Sequence, residues 1–315
     1  MFFYKSKMKK KIIVRLGEGL GNQLFMYAHA YSLSKNLNYD LYIDDVSGFY
    51  KKKNRLRGQK FMLDKLYIDS PLVEDSEKIN SNLKYVKKKI LKFIDFFRNK
   101  KNFLIEKKIK INNKKTSSYQ KYNLNKFSNT IYIEGHYECE KYFIDIREDI
   151  LKKFRVKKNL INDNKYKDLL INSNSVSIHI RRHKYSEQSH EKRELKRLNK
   201  SENYTQNIIS YIKKSVAYFE KRLSNPKFFI WTNDFYGIEK DFDPNKFIYV
   251  QNNDSINDFH LFSFAKHFIV GGSSYHWWGA WLNTYKNKIC TRPPVQLNSS
   301  DNIEFYPEKW INTDE

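Results

Sequence analysis

Two adjacent arginines, Arg181 and Arg182, close the alternating run Ser177-Ile178-His179-Ile180. The alternation predicts a strand with Val176, Ile178 and Ile180 on one face and His179 and Arg181 on the other. A guanidinium fork at a strand exit suits a diphosphate and the charge that develops on a leaving diphosphate. A second run, Gly271-Gly272-Ser273-Ser274-Tyr275-His276-Trp277-Trp278-Gly279-Ala280-Trp281-Leu282, follows the apolar stretch Phe268–Val270. Ser273 or Ser274 there would cap a helix and present hydroxyl and backbone N–H groups to a phosphate. The tryptophans read as packing residues, and Gly279 as a point of close helix approach. Asp234, after a strand ending at Trp231-Thr232, and Asp258, early in a helix, are two acids that could take the N1–H and amine of guanine.

Near the start, Gly17-Glu18-Gly19-Leu20-Gly21-Asn22-Gln23 lies between a predicted strand and a predicted helix. It is one glycine short of a dinucleotide fingerprint, with Asn22 in the sixth place. Asp44 and Asp45, at the end of the next strand, stand where a ribose-binding acid would. A dinucleotide-dependent oxidoreductase is therefore the alternative enzyme reading. Asp241-Phe242-Asp243 matches a short metal-holding motif but precedes Pro244 and reads as a solvated turn. No His/Cys cluster has metal-ligand spacing.

The elements that must position these groups alternate. Strands are predicted at Lys11–Leu16, Leu41–Ile43, Ile131–Ile133, Val176–Ile180, Phe228–Trp231, Phe247–Val250 and Phe268–Val270. Helices are predicted at about 22–37, 204–223, 255–266 and 274–284. Such alternation implies doubly wound parallel sheets. Two α/β domains are expected, 1–160 and 161–315, with a cleft between them.

The 315 residues carry a net charge of +24, and 40% of them are hydrophobic. Residues 51–126 alone hold +16 of that charge. Apolar Val86, Ile90, Leu91, Ile94 and Phe97 recur there between lysines, predicting an amphipathic helix with a basic face. Charge alone invites a nucleic-acid reading; a solvated face or an anionic membrane surface are the others. No apolar run approaches a membrane span, and no signal-peptide core is seen. Two cysteines, Cys139 and Cys290, exclude a disulfide scaffold and fit a reducing compartment.

In order and spacing, these motifs resemble the α-1,2-fucosyltransferases of glycosyltransferase family 11. The resemblance rests on Gly19-Leu20-Gly21-Asn22-Gln23-Leu24-Phe25, Glu134-Gly135-His136-Tyr137-Glu138-Cys139-Glu140-Lys141-Tyr142-Phe143, His179-Ile180-Arg181-Arg182, Phe229-Ile230-Trp231-Thr232-Asn233-Asp234 and Ser273-Ser274 with Trp277-Trp278-Gly279-Ala280-Trp281-Leu282. It covers most of the chain, the basic segment excepted. It implies a GT-B architecture, two Rossmann-like domains facing a central cleft. It implies GDP-β-L-fucose as donor, an α-1,2 linkage formed with inversion on a surface-glycan galactoside, and no obligatory metal or cofactor. Arg181 would neutralise the β-phosphate; His179, Arg182, Ser273 and Ser274 would line the diphosphate. Asp258, ahead of Asp234, would hold guanine. Asn22 and Gln23 would face the donor or acceptor from the first domain. The expected location is cytoplasmic, with peripheral contact at an anionic membrane left open.

The sequence departs from the family pattern at His183-Lys184, where Gly-Asp is usual, and at His276, where serine is usual. Thr232-Asn233-Asp234 replaces Ser-Asp-Asp. A base must deprotonate the acceptor hydroxyl. Glu18, where the family often has glycine, Glu187 and His183 are the candidates.

Overall fold

The computed structural model describes residues 10–50, 59–111, 113–182, 194–294, 297 and 302–314. The chain divides into two compact units, Met1–Asp64 with Ile68–Phe154, and Lys65–Tyr67 with Arg155–Glu315. The short insertion joins the second unit because Leu66 bridges Val156 and the Tyr67 N–H donates to the Arg155 carbonyl (3.1 Å).

In the first unit β1 (Lys11–Arg15) runs parallel to both β2 (Asp40–Asp44) and β6 (Phe127–Glu134). The sheet order is β2-β1-β6-β3, with β3 at Lys101–Ile105. Helix α1 (Leu20–Leu37) is buried over most of its length, polar Gln23, His29, Ser32 and Ser34 included. It stops at Asn38, whose left-handed φ of 54° cannot continue a helix. Helix α2 (Asn82–Phe96) begins at Ser81, whose hydroxyl accepts from the Lys84 N–H. A hairpin, β4 (Ile109–Ile111) with β5 (Lys114–Thr116), follows. Helix α3 (Arg147–Lys153) ends the unit.

The second unit holds a six-stranded sheet, parallel throughout. Helix α4 (Lys165–Asn172) leads into β7 (Asn174–Ile180). Then come α5 (Glu194–Glu220), β8 (Pro226–Thr232), β9 (Phe247–Tyr249), α6 (Ser255–Phe262), β10 (His267–Ile269), α7 (Ser274–Leu282), β11 (Cys290–Arg292) and β12 (Ile311–Asn312). Strand order is β12-β11-β10-β7-β8-β9. Val176, Ile178 and Ile180 pack on the α5 stripe of Ile208, Ile212, Val216 and Phe219, as their spacing predicts. On the other face Trp231 meets Phe262 at 5.1 Å between ring centroids. Trp277, Trp278 and Trp281 are buried, and Gly279 lies where a Cβ would come within 2.7 Å of Phe262. The glycine is what lets α7 cross α6.

The basic segment folds differently from its expectation. It contributes a strand, β3, and a hairpin besides the helix. The face that α2 turns toward the protein is polar: Asp95 accepts from the backbone N–H groups of Asn102 (2.8 Å) and Phe103 (3.1 Å). Lys88 and Lys92 both reach Glu134. Among the described residues no helix is long and apolar enough to cross a membrane.

Candidate functional site

In a parallel sheet every strand delivers its following loop to one edge. In the second unit β7 is followed in space by β8 and β9 on one side, and by β10, β11 and β12 on the other. The order therefore reverses between β7 and β10, and ligands of open α/β sheets bind outside the carboxyl ends at such a point. The loops that diverge there begin with Arg181 and with Gly271. Their backbones touch: a Cβ on Gly271 would fall 2.6 Å from the His179 carbonyl oxygen. Any side chain at 271 would force the two loops apart.

Around this point the groups have distinct environments. The His179 ring stacks on His276 (5.5 Å between centroids) and meets Tyr275 edge-on. Burial, reinforced by the Arg181 charge, lowers its pKa to about 3, so it is a neutral imidazole. His276 is likewise held neutral by burial, and its Nε2 lies 2.8 Å from the Ser177 hydroxyl. His276 is thus a buried ring in the wall behind His179. Ser273 stands at the N-cap of α7, but its side chain makes no capping hydrogen bond. The expected cap is therefore a backbone one only, and the hydroxyl is not spent on the helix.

The two arginines part company. The Arg182 N–H donates to Oδ1 of Asn233 (2.8 Å), and its guanidinium pairs with Asp234 (3.4 Å) and donates to the Tyr236 carbonyl. Asn233 donates back to the Arg182 carbonyl (3.2 Å). Arg182 and Asp234 therefore clamp the loop after β7 to the loop after β8. Both Asp234 oxygens are engaged, since Oδ1 also accepts from the Tyr236 N–H (2.9 Å). In this clamp Arg182 and Asp234 serve each other, a structural role that the sequence did not show. Arg181 is half-buried, and its charge acts on His179.

Asp258 differs from Asp234. Burial raises its carboxyl pKa to about 6, against the opposing effect of the polar groups of Asn253 and Trp231. Asn253 donates to Oδ1 at 3.0 Å. A carboxylate kept in a half-buried place at a cost to its own charge is a ligand-site candidate.

In the first unit Glu18 sits in the loop after β1 with φ at +65°, a left-handed conformation that favours glycine. Its carboxylate receives a hydrogen bond from Asn22 Nδ2 and faces His136 Nε2 at 3.3 Å. Burial opposes charge on His136, but Glu18, Glu138 and Glu106 outweigh it and raise its pKa to about 9. At neutral pH His136 is therefore an imidazolium. His136 follows β6, the neighbour of β1, and this pairing was not legible from a sequence that shows no strand neighbours. The signal available was that Glu18 and His136 sit three and two residues past a strand exit. Gln23 corrects an expectation: it is fully buried, donating to the carbonyls of Glu18 and Lys60 (both 2.8 Å) and accepting from the Met62 N–H (3.0 Å). It braces the loop from within. Asn22 is spent on orienting Glu18.

The dinucleotide reading fails at its acid. Asp44 is fully buried, accepting from the N–H groups of Val46 (3.2 Å) and Ser47 (2.9 Å) and paired with Arg15 (3.5 Å). Asp45 pairs with Lys78 (3.1 Å). Neither can take a ribose. Asp241 pairs with Lys213 (2.8 Å), and Asp243 accepts from the Asn245 N–H (2.9 Å), as a turn requires. Among the described residues no group of three or more His, Cys, Asp or Glu is placed to hold a metal ion. Glu187 and His183 lie outside the described residues.

The model of glycosyl transferase family 11 matches residues 11–312. The chain belongs to glycosyl transferase family 11. This family 11 chain is 30% identical to the Escherichia coli O-antigen biosynthesis glycosyltransferase WbnK, over 94% of its own length and 98% of the relative's. It is 28% identical to an Escherichia coli alpha-1,2-colitosyltransferase, over 95% and 98%. Its fold is shared with a mutant of Arabidopsis thaliana FUT1 in complex with GDP (TM-score 0.52, 10% identity, 95% of this chain and 74% of that one). It is shared too with the NodZ alpha-1,6-fucosyltransferase soaked with GDP-fucose (TM-score 0.50, 12% identity, 92% and 97%). The family 11 chain is a glycosyltransferase of GT-B fold, built from two Rossmann-like α/β units.

Proposed function

We propose that this glycosyltransferase moves L-fucose from GDP-β-L-fucose to the 2-hydroxyl of a galactoside in a surface glycan, inverting the anomeric centre without an obligatory metal. The observation that carries the reading is the switch point of the second unit. It joins Arg181, neutral His179 and the N-terminus of α7 at one sheet edge, with Asp258 on the neighbouring helix. Family membership and the alpha-1,2 linkage in one relative's name support it. The GDP and GDP-fucose named for two proteins of like fold are consistent with a guanosine donor.

The residues divide the chemistry as follows. The acceptor oxygen bonds to C1 of fucose on the face opposite the diphosphate. The C1–O bond to the β-phosphate breaks, and its electron pair leaves on GDP. Arg181 neutralises that charge as it develops. His179 and the α7 N–H groups donate to the diphosphate, a helix N-terminus being a ready anion site. Ionised Asp258 accepts from guanine. The hydroxyl proton passes to Glu18, which faces His136. Both cysteines are buried and neither forms a disulfide, which supports the cytoplasmic location that is part of this reading.

The test is a ligand screen by thermal shift with GDP, UDP and NADH, followed by turnover of GDP-fucose and GDP-linked colitose. A ligand at 100 times its Kd adds about 2.7 kcal/mol. GDP alone should stabilise the protein and fucose should be transferred. Stabilisation by UDP or NADH but not GDP would end the proposal.

A further inference from the structure

Helix α2 is mounted with its polar side in and its apolar side out. Inward, Lys88 and Lys92 reach Glu134, which Arg15 also contacts, and Asp95 is buried beneath β3. Outward, Leu83, Val86, Ile90, Phe93 and Phe97 follow one another at helical spacing, and all are exposed. Leu83 is 85% exposed, Phe93 68% and Phe97 70%, with Phe96 beside them at 77%. Phe93, Phe96 and Phe97 meet edge-on at 5.4 Å, so the aromatic end is one continuous patch. A globular helix buries such a stripe and wets its lysines. Large exposed apolar patches mark interaction surfaces.

We propose that the outward stripe of α2 inserts into the headgroup region of an anionic lipid bilayer, docking this chain peripherally. Two observations choose the occupant. The stripe is rimmed by Lys84, Lys87 and Lys89, and the one acid of the helix, Asp95, is buried; the surrounding segment 51–126 carries +16. An apolar face with a cationic rim is complementary to anionic headgroups above acyl chains. A second copy of this chain is a poor fit, because a two-fold contact through α2 would set the same cationic rim against itself. The helix is fastened from its inner side by ion pairs and by the Asp95 cap of β3, so it can offer its apolar side without unfolding.

The test is co-sedimentation of the full chain with phosphatidylcholine vesicles, with and without about 30% phosphatidylglycerol. Binding to the anionic vesicles is expected, weakening as salt rises. Ile90→Gln with Phe93→Gln should weaken it about tenfold or more, by removing inserted apolar area. Lys84→Glu with Lys87→Glu and Lys89→Glu should abolish the preference for anionic lipid. Circular dichroism of both variants should match the parent; the lysine variant also loses the Lys84 hydrogen bond to the Asp75 carbonyl (2.9 Å), so its melting is measured beside its binding. Sedimentation needs no donor or acceptor, so its failure leaves the transfer reading intact. Absence of vesicle binding, or parental binding by the Ile90/Phe93 variant, overturns the proposal. So does a dimer that the same substitutions dissolve in a chain that ignores vesicles.

Discussion

Arg181 and Arg182 are neighbours with different surroundings. Arg182 is committed to Asp234 and to two loop carbonyls, whereas Arg181 follows the last core residue of β7 beside a neutral histidine. Arg181→Ala should lower kcat by about 10²–10³-fold with a small change in GDP-fucose KM, since its charge is needed mainly as the diphosphate leaves. Asp258 makes a prediction with two signs. Its folded-state pKa, about 6, lies above the ordinary carboxylate value of 3.8, so its ionisation costs stability at neutral pH. That cost falls away as pH drops through about 6. Asp258→Asn should therefore raise the melting temperature of the ligand-free protein at pH 7.5, by a gain of the order of 1–3 kcal/mol. The same variant should bind GDP more weakly and lose the decline in GDP affinity that the parent shows below pH 6. Calorimetry across pH 5–8 reads both. At Glu18 the strained φ predicts that Glu18→Gly melts no lower than the parent yet loses about 10²-fold or more in kcat. His136 supplies the pH signature. Its folded-state pKa is raised from 6.5 to about 9, so its pairing with Glu18 is complete below pH 6.5 and is lost as pH rises through 9. The kcat profile should fall on an alkaline limb near 9, and His136→Gln should move that limb while leaving GDP affinity unchanged.

At the scale of elements, the loops after β7 and β8 are tied by the Arg182–Asp234 clamp. Arg182→Ala should cost about 1–2 kcal/mol in urea unfolding, because it leaves Asp234 and two carbonyls with fewer donors. Its kcat should fall less than that of Arg181→Ala. The strands and helices of the second unit were legible because period-two and period-3.6 apolar patterns do not depend on long-range neighbours. Val176, Ile178 and Ile180 read as a core face and are one. The first unit was harder. β3 and the β4–β5 hairpin hide in a lysine-rich stretch whose pattern is weak, and α2 carries a clear pattern whose orientation the sequence cannot give. Periodicity says that one face of α2 is apolar; only the contacts of Lys88, Lys92 and Asp95 say which face turns inward. The same gap explains the site. Arg181, His179 and Asp258 were visible as residue types at strand exits or an early helix turn. The commitments of Gln23, Asp44 and Asp234 to internal partners, and the meeting of His136 with Glu18, depend on which strands lie side by side.

At the scale of the whole molecule, the charge of +24 has a specific distribution. It is concentrated around a helix whose lysines partly serve Glu134: burial opposes charge on that carboxylate, but Arg15, Lys92 and Lys88 prevail and hold its pKa down to about 2. Charge there builds the first unit's inner layer and rims an apolar stripe. The proposed transfer chemistry rests instead on single cations, Arg181 and the His136 imidazolium, each set at the carboxyl end of a parallel strand. The proposed function has a GDP-fucose site at the switch point drive an inverting transfer to O2 of galactose. Proton NMR of the product made from GDP-β-L-fucose and a β-galactoside tests it most directly. The predicted result is an α-anomeric fucose with a cross-ring correlation to C2 of galactose, formed by the parent and lost in Arg181→Ala. A β-anomeric product, or equal yield from Arg181→Ala, would contradict it.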